Sequence, residues 1–173
     1  MANFVEVSRV INADPLTLYS MVSDVTRMGE WSPETKRAEW LKGATGPAVG
    51  AHFRGVNRLG SKKWAIECVV TKAEPGREFA FNATAGPIKF ATWSYSFEVQ
   101  DGGTLVTESC DDRRGLLLTW VGALISGVKD REARNKVNIS ETLDALKAAA
   151  ERAVPADGPS QHGDDAATSQ DDA

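Results

Sequence analysis

Between residues 35 and 111 the chain is a run of short, apolar-alternating segments cut at near-regular intervals by tight-turn sequences. The punctuation is Gly43-Ala44-Thr45-Gly46-Pro47, Leu59-Gly60-Ser61-Lys62, Glu74-Pro75-Gly76-Arg77, Ala85-Gly86-Pro87 and Asp101-Gly102-Gly103. Glycine takes the positive φ such reversals need, and proline withholds a ladder N–H, so both stop a strand and turn the chain. Strands spaced about ten residues apart leave no length for crossover helices. Neighbouring strands must then run antiparallel, as a meander.

The strands predicted are Thr35–Leu41, Gly50–Arg58, Lys63–Lys72, Glu78–Ala83, Lys89–Val99 and Thr104–Cys110. Successive side chains of a strand point to opposite faces. That period places Trp64, Ile66, Cys68 and Val70 together, Phe79 with Phe81, and Phe53 with Asn57. In Thr92-Trp93-Ser94-Tyr95-Ser96-Phe97-Glu98 the three aromatics share one face and Ser94, Ser96 and Glu98 the other. The last strand is mixed on both parities, so its inward set is either Thr107 and Ser109 or Glu108.

Ahead of the meander, residues 4–11 read as a strand. Asp14-Pro15 then supplies an N-cap and a first-turn proline, and Leu16, Tyr19, Val22 and Val25 follow at helical spacing. A short second helix runs to about Trp31 and ends at Ser32-Pro33. After the meander, Gly115 to about Ala153 is predicted helical, with Gly127 as a bend. Its apolar stripe is Leu117, Trp120, Val121, Leu124 and Val128, resumed by Ile139, Leu143, Leu146 and Ala150. A sheet and a helix that each have one apolar face are buried most simply when the sheet curves around the helix. The expected class is therefore α+β: a helix-grip of seven antiparallel strands around a long C-terminal helix, with two short helices after the first strand.

The chain has 173 residues and a net charge of −4, unevenly placed. Residues 155–173 carry five aspartates, no Lys or Arg, and few large apolar groups, the composition of a disordered acidic tail. The remaining 1–154 form the expected domain, with 19 acids against 20 bases. A near-neutral body offers no basic field for nucleic acid. Cys68 and Cys110 lie in apolar strand contexts, where free thiols are the expectation. The N-terminus lacks signal-peptide character, and no uncharged apolar run approaches the ~20 residues that span a bilayer. A cytoplasmic protein, with no membrane insertion and either monomeric or homodimeric, is expected.

Chemical motifs are scarce. His52 and His162 are the only histidines, and His52 falls on the strand face opposite Phe53. No metal is expected, since a zinc site needs about three converging protein ligands. No Gly-x-Ser-x-Gly elbow and no phosphate-binding glycine loop is present, so neither triad catalysis nor nucleotide use is indicated, and no cofactor is expected. The charged stretches Asp111–Arg114 and Lys129–Glu132 read as solvated faces. Five tryptophans are what remains, on predicted inward faces or element ends.

In this arrangement the chain resembles the SRPBCC, or START-like, superfamily, specifically its polyketide cyclase/dehydrase branch. The resemblance rests on Ser23-Asp24-Val25 through Trp31-Ser32-Pro33-Glu34 and on Gly50-Ala51-His52-Phe53-Arg54-Gly55. It extends through Glu74-Pro75-Gly76-Arg77-Glu78-Phe79, Trp93-Ser94-Tyr95-Ser96-Phe97 and Thr142-Leu143-Asp144-Ala145-Leu146-Lys147, and so covers roughly residues 3–152. It implies a helix-grip cavity holding a small hydrophobic molecule such as a lipid or aromatic polyketide. The walls expected from the sheet are Phe53, Trp64, Phe79, Phe81, Trp93, Tyr95 and Phe97. Trp31 would close one end, and Leu117, Trp120 and Leu124 would face in from the helix. Binding is favoured over catalysis, the alternative being a cyclase, aromatase or dehydratase acting in the same cavity, for which Tyr95 offers a hydroxyl.

Overall fold

A computed structural model describes residues 3–128 and 130–153, without the side chains of Leu116–Leu118. The expected tail, 155–173, lies outside the described residues. Seven strands form one antiparallel sheet: β1 (Asn3–Ile11), β2 (Thr35–Leu41), β3 (His52–Leu59), β4 (Lys62–Glu74), β5 (Glu78–Ala85), β6 (Ile88–Gln100) and β7 (Gly103–Asp112). Their spatial order is β1-β7-β6-β5-β4-β3-β2. The meander is thus complete from β2 to β7, and β1 closes on β7. Pairing sets Phe79 opposite Tyr95, Phe81 opposite Trp93, and Tyr95 opposite Glu108.

Helix α1 (Pro15–Ser23) starts as the sequence requires. The Asp14 carboxylate accepts from the Leu16 and Thr17 amides at 2.9 and 3.0 Å, and Pro15 occupies the first turn. A 3-10 helix (Val25–Glu30) follows, capped by the Asp24 side chain. These are the two short helices expected after the first strand. Tyr19 of α1 stands edge-on to Phe79 and Phe97, with centroids 6.4 and 6.2 Å away, so α1 seals one end of the concave face. Leu18, Val22, Val106, Ile139, Leu143 and Leu146 are buried in the same core.

The C-terminal region contains the long helix expected, preceded by a shorter separate one. It comprises α2 (Leu116–Ser126) and α3 (Arg131–Ala153). Gly127, at φ +75°, takes the left-handed conformation that terminates α2, its N–H returning to the Ala123 carbonyl at 2.8 Å. The bend is therefore a complete break. Helix α3, about 34 Å long, lies along the concave face. It buries Asn135, Asn138, Ile139, Thr142, Leu143, Leu146 and Ala150 as one stripe. Cys68 and Cys110 are buried free thiols.

Candidate functional site

The stripe of α3 changes character along its length. Ile139, Leu143, Leu146 and Ala150 close the core, whereas Asn135, Asn138 and Thr142 present polar groups near the helix start. Two chambers lie against the sheet beside that polar half. The larger, ≈ 290 Å³, sits between α2 and the sheet, walled by Trp64, Ile66, Phe90, Trp93, Val121 and Ile125. The smaller, ≈ 110 Å³, lies under α3 and is lined by Phe53, Phe81, Trp93, Tyr95, Glu108 and Asn138, among others. Ile66, Ala83, Trp93, Arg131 and Asn135 border both.

Trp93, Tyr95, Phe53, Phe81 and Trp64 are therefore brought to the chambers from the expected set. Phe79 and Phe97 are not, because α1 covers that end of the sheet and Tyr19 packs on both rings. Trp31 is buried in the core, where the Arg27 guanidinium lies 5.1 Å from its ring, and it borders neither chamber. Trp120 and Leu124 are 68% and 64% exposed. The break at Gly127 gives α2 a helical phase of its own, which sets Val121 and the 48% exposed Ile125 along the chamber instead. The side chain of Leu117 lies outside the described residues.

The open question of the last strand resolves to Glu108. On β7, Thr104, Val106, Glu108, Cys110 and Asp112 are buried and their neighbours less so. Glu108 is 3% exposed; its Oε1 accepts from the Tyr95 hydroxyl at 2.8 Å, while Oε2 has no partner. Burial pushes the Glu108 carboxyl up to about 8, against the opposing pull of the Tyr95 hydrogen bond. Burial likewise raises the Tyr95 phenol well above its ordinary range, with Glu108 adding to the effect. Near neutral pH the pair is a protonated acid beside a protonated phenol. Asn57, the other inward polar group expected, accepts from Thr35 Oγ1 at 2.9 Å and borders the smaller chamber.

From the two stretches read as solvated, Asp112, Arg114 and Arg131 are folded inward, while Arg113, Asp130 and Glu132 stay exposed. Arg114 binds the buried Asp112 carboxylate through Nε and Nη2, with Nε–Oδ1 at 2.9 Å. Arg131 and Arg134 both reach Glu34, at 3.3 and 3.0 Å, and the Glu34 side chain is 7% exposed. Arg131 also lies 5.8 Å from the Trp64 ring. The guanidiniums at the chambers are thus already paired with carboxylates. The signal that would have found Asn135 and Asn138 was present, since they precede Ile139, Thr142 and Leu143 at i, i+3, i+4, i+7 and i+8 on one stripe. His52 faces away from the chambers, half-buried, with Nδ1 2.9 Å from Glu67 Oε1. Among the described residues no group of three or more His, Cys, Asp or Glu is arranged to hold a metal ion. Nor is any described helix long and apolar enough to cross a membrane.

A curved antiparallel sheet gripping a C-terminal helix, with a cavity between them, defines a helix-grip protein. Residues 4–151 match the family described as polyketide cyclase / dehydrase and lipid transport, and the chain belongs to that family. A polyketide cyclase-like protein from Corynebacterium glutamicum, solved by NMR, is 33% identical with a TM-score of 0.60, the match covering 87% of this chain and 93% of that one. A di-domain ARO/CYC from the steffimycin biosynthetic pathway superposes with a TM-score of 0.67 at 14% identity. That match covers 88% of this chain and 51% of the di-domain protein, and it speaks to fold alone. A protein from Chromobacterium violaceum gives 0.65 at 14% identity over 86% of this chain and 98% of that one. No curated protein matches the sequence.

Proposed function

We propose that the protein binds, and carries, a small hydrophobic molecule, its apolar body held in the chamber between α2 and the sheet. The observation that carries this reading is a cavity of ≈ 290 Å³ walled by Trp64, Phe90 and Trp93, in a position where a fully packed core would leave no such space. Such a volume lies at the lower edge of ordinary ligand sites, roughly 300–1,000 Å³. Aromatic walls favour flat apolar ligands, because ring faces stack at little entropic cost. An aromatic polyketide or a compact lipid has that chemistry. The family match supports the reading.

Native mass spectrometry of the purified protein, followed by solvent extraction, tests it. A co-purifying apolar molecule, or saturable uptake of an added one, is expected. A protein that neither carries nor takes up any apolar molecule would sink the proposal.

The Tyr95–Glu108 pair favours a second reading, cyclase, aromatase or dehydratase chemistry in the same cavity. A buried carboxyl holding its proton near neutral pH can protonate a carbonyl oxygen during ring closure if the substrate comes within hydrogen-bond reach. Turnover of a poly-β-ketone that fails in Tyr95→Phe and Glu108→Gln would select this reading over simple carriage.

A further inference from the structure

Among the described residues, three buried side-chain oxygens have no hydrogen-bond partner: Glu108 Oε2, Asn135 Oδ1 and Asn138 Oδ1. They come from two elements, β7 and α3, yet all three residues line the one ≈ 110 Å³ chamber. An unpaired buried polar atom costs about 1–3 kcal/mol, so three around one space are a demand for a polar partner rather than a packing accident. Four neighbouring polar groups are already engaged elsewhere. Thr35 Oγ1 is spent on Asn57, the Tyr95 hydroxyl on Glu108 Oε1, the Asn135 amide on Cys110 Sγ, and Arg131 on Glu34.

We infer that this chamber is the seat of a ligand hydroxyl, so that the protein selects apolar molecules ending in an alcohol or phenol over otherwise equal carboxylates, ethers and hydrocarbons. The inference rests on the proposed binding of a hydrophobic ligand and specifies which end of it points under α3. A hydroxyl is suited because it both donates and accepts. If the Glu108 carboxyl is protonated, it donates to the ligand oxygen, and the ligand O–H passes on to an asparagine carbonyl. If it is ionised, Oε2 accepts the ligand proton directly. An ether or ketone can only accept, and leaves the asparagine carbonyls orphaned. A carboxylate brings a charge to a wall of carbonyl oxygens where Arg131 is already neutralised by Glu34. The shared borders, Ile66, Ala83 and Trp93, let one molecule occupy both spaces, with its apolar body against Trp64 and Phe90 and its hydroxyl under α3.

Calorimetric titration of the full chain with 2-naphthol, naphthalene, 2-methoxynaphthalene and 2-naphthoate tests this without any variant. The naphthol is expected to bind at least about tenfold tighter than each of the other three, the scale of one satisfied buried polar group. Asn138→Leu, which replaces one orphan acceptor by an apolar group of the same branching, is expected to shrink that preference at least about threefold. Equal affinities for the naphthol and its donor-free analogues would overturn the hydroxyl seat and leave the hydrophobic site standing. So would a preference for the naphthoate, or a naphthol preference undiminished in Asn138→Leu. Failure of all four probes to bind would instead remove the hydrophobic site itself, and the hydroxyl seat with it.

Discussion

Tyr95 and Glu108 are direct partners across β6 and β7, and the Tyr95 hydroxyl donates to Glu108 Oε1 at 2.8 Å inside a fully buried pair. The bond favours the ionised carboxylate, but loss of solvent outweighs it and the acid stays protonated to about pH 8. The folded protein therefore holds a proton on Glu108 that the unfolded chain releases near pH 4.5.

A stability consequence follows from that difference. With the folded pKa raised, the Glu108 contribution is fully present below about pH 4.5 and is lost as pH rises towards 8. Within that window this residue alone lowers unfolding free energy with a slope of up to about 1.4 kcal/mol per pH unit. Glu108→Gln, which cannot titrate, should flatten the curve between pH 5 and 8 and be the more stable form at the alkaline end. Urea melts of both proteins across this range check it; parallel curves would show that Glu108 is already ionised in the fold.

Trp93 borders both chambers, and Trp120 neither. Trp93→Ala should weaken binding of an apolar aromatic probe by at least about tenfold, as expected for loss of a large buried aromatic contact. Trp120→Ala should change it by less than about twofold. Titration of the two variants separates them, and equal losses would place the ligand against the exposed face of α2.

Glu34 is held by two arginines of α3 from a position just before β2. Removing one side of a buried ion pair leaves charge unpaired, at a cost of about 3 kcal/mol. Glu34→Ala should destabilise by that order, and Glu34→Gln by less, read as a shift of the denaturation midpoint.

Gly103, at φ +141°, begins β7 with its Cα pressed against the end of β1. A Cβ there would fall on the Ile11 carbonyl, which is backbone and cannot step aside. Gly103→Ala is expected to cost more than about 2 kcal/mol by combined overlap and left-handed strain. Thermal denaturation measures it.

Most of the sheet was legible because its signals are local. The turn sequences fix the reversals, and the two-residue period of β4, β5 and β6 fixes which side chains share a face. Strand β7 was ambiguous on those terms, because Glu108 occupies an inward position that a hydropathy pattern assigns to an apolar residue. The same substitution of polar for apolar hid Asn135 and Asn138 at the start of α3 and Arg131 beside them. Glu108 and Arg131 are matched by partners distant in sequence, Tyr95 and Glu34, separated by 13 and 97 residues. Such pairings are tertiary facts, and no local pattern contains them. The misplacement of Trp120 and Leu124 has a different origin. A continuous helix and a broken one give the same stripe within each half, and only Gly127 decides their relative phase.

An open sheet ends in strands whose outer backbone groups are free to recruit another strand. Here β1 is guarded by α3: Lys147 Nζ donates to the Val10 carbonyl at 2.7 Å, Glu151 receives the Asn12 amide at 3.0 Å, and Arg9 is tied to Asp144 and Ser140. At the other margin the 3-10 helix crowds β2, so closely that Gly29 has no room for a side chain above the Lys36 carbonyl. Both margins of the open seven-stranded sheet are in this way partly covered. A neighbouring copy seeking to extend the ladder would first have to prise away the very helix that roofs the binding chambers.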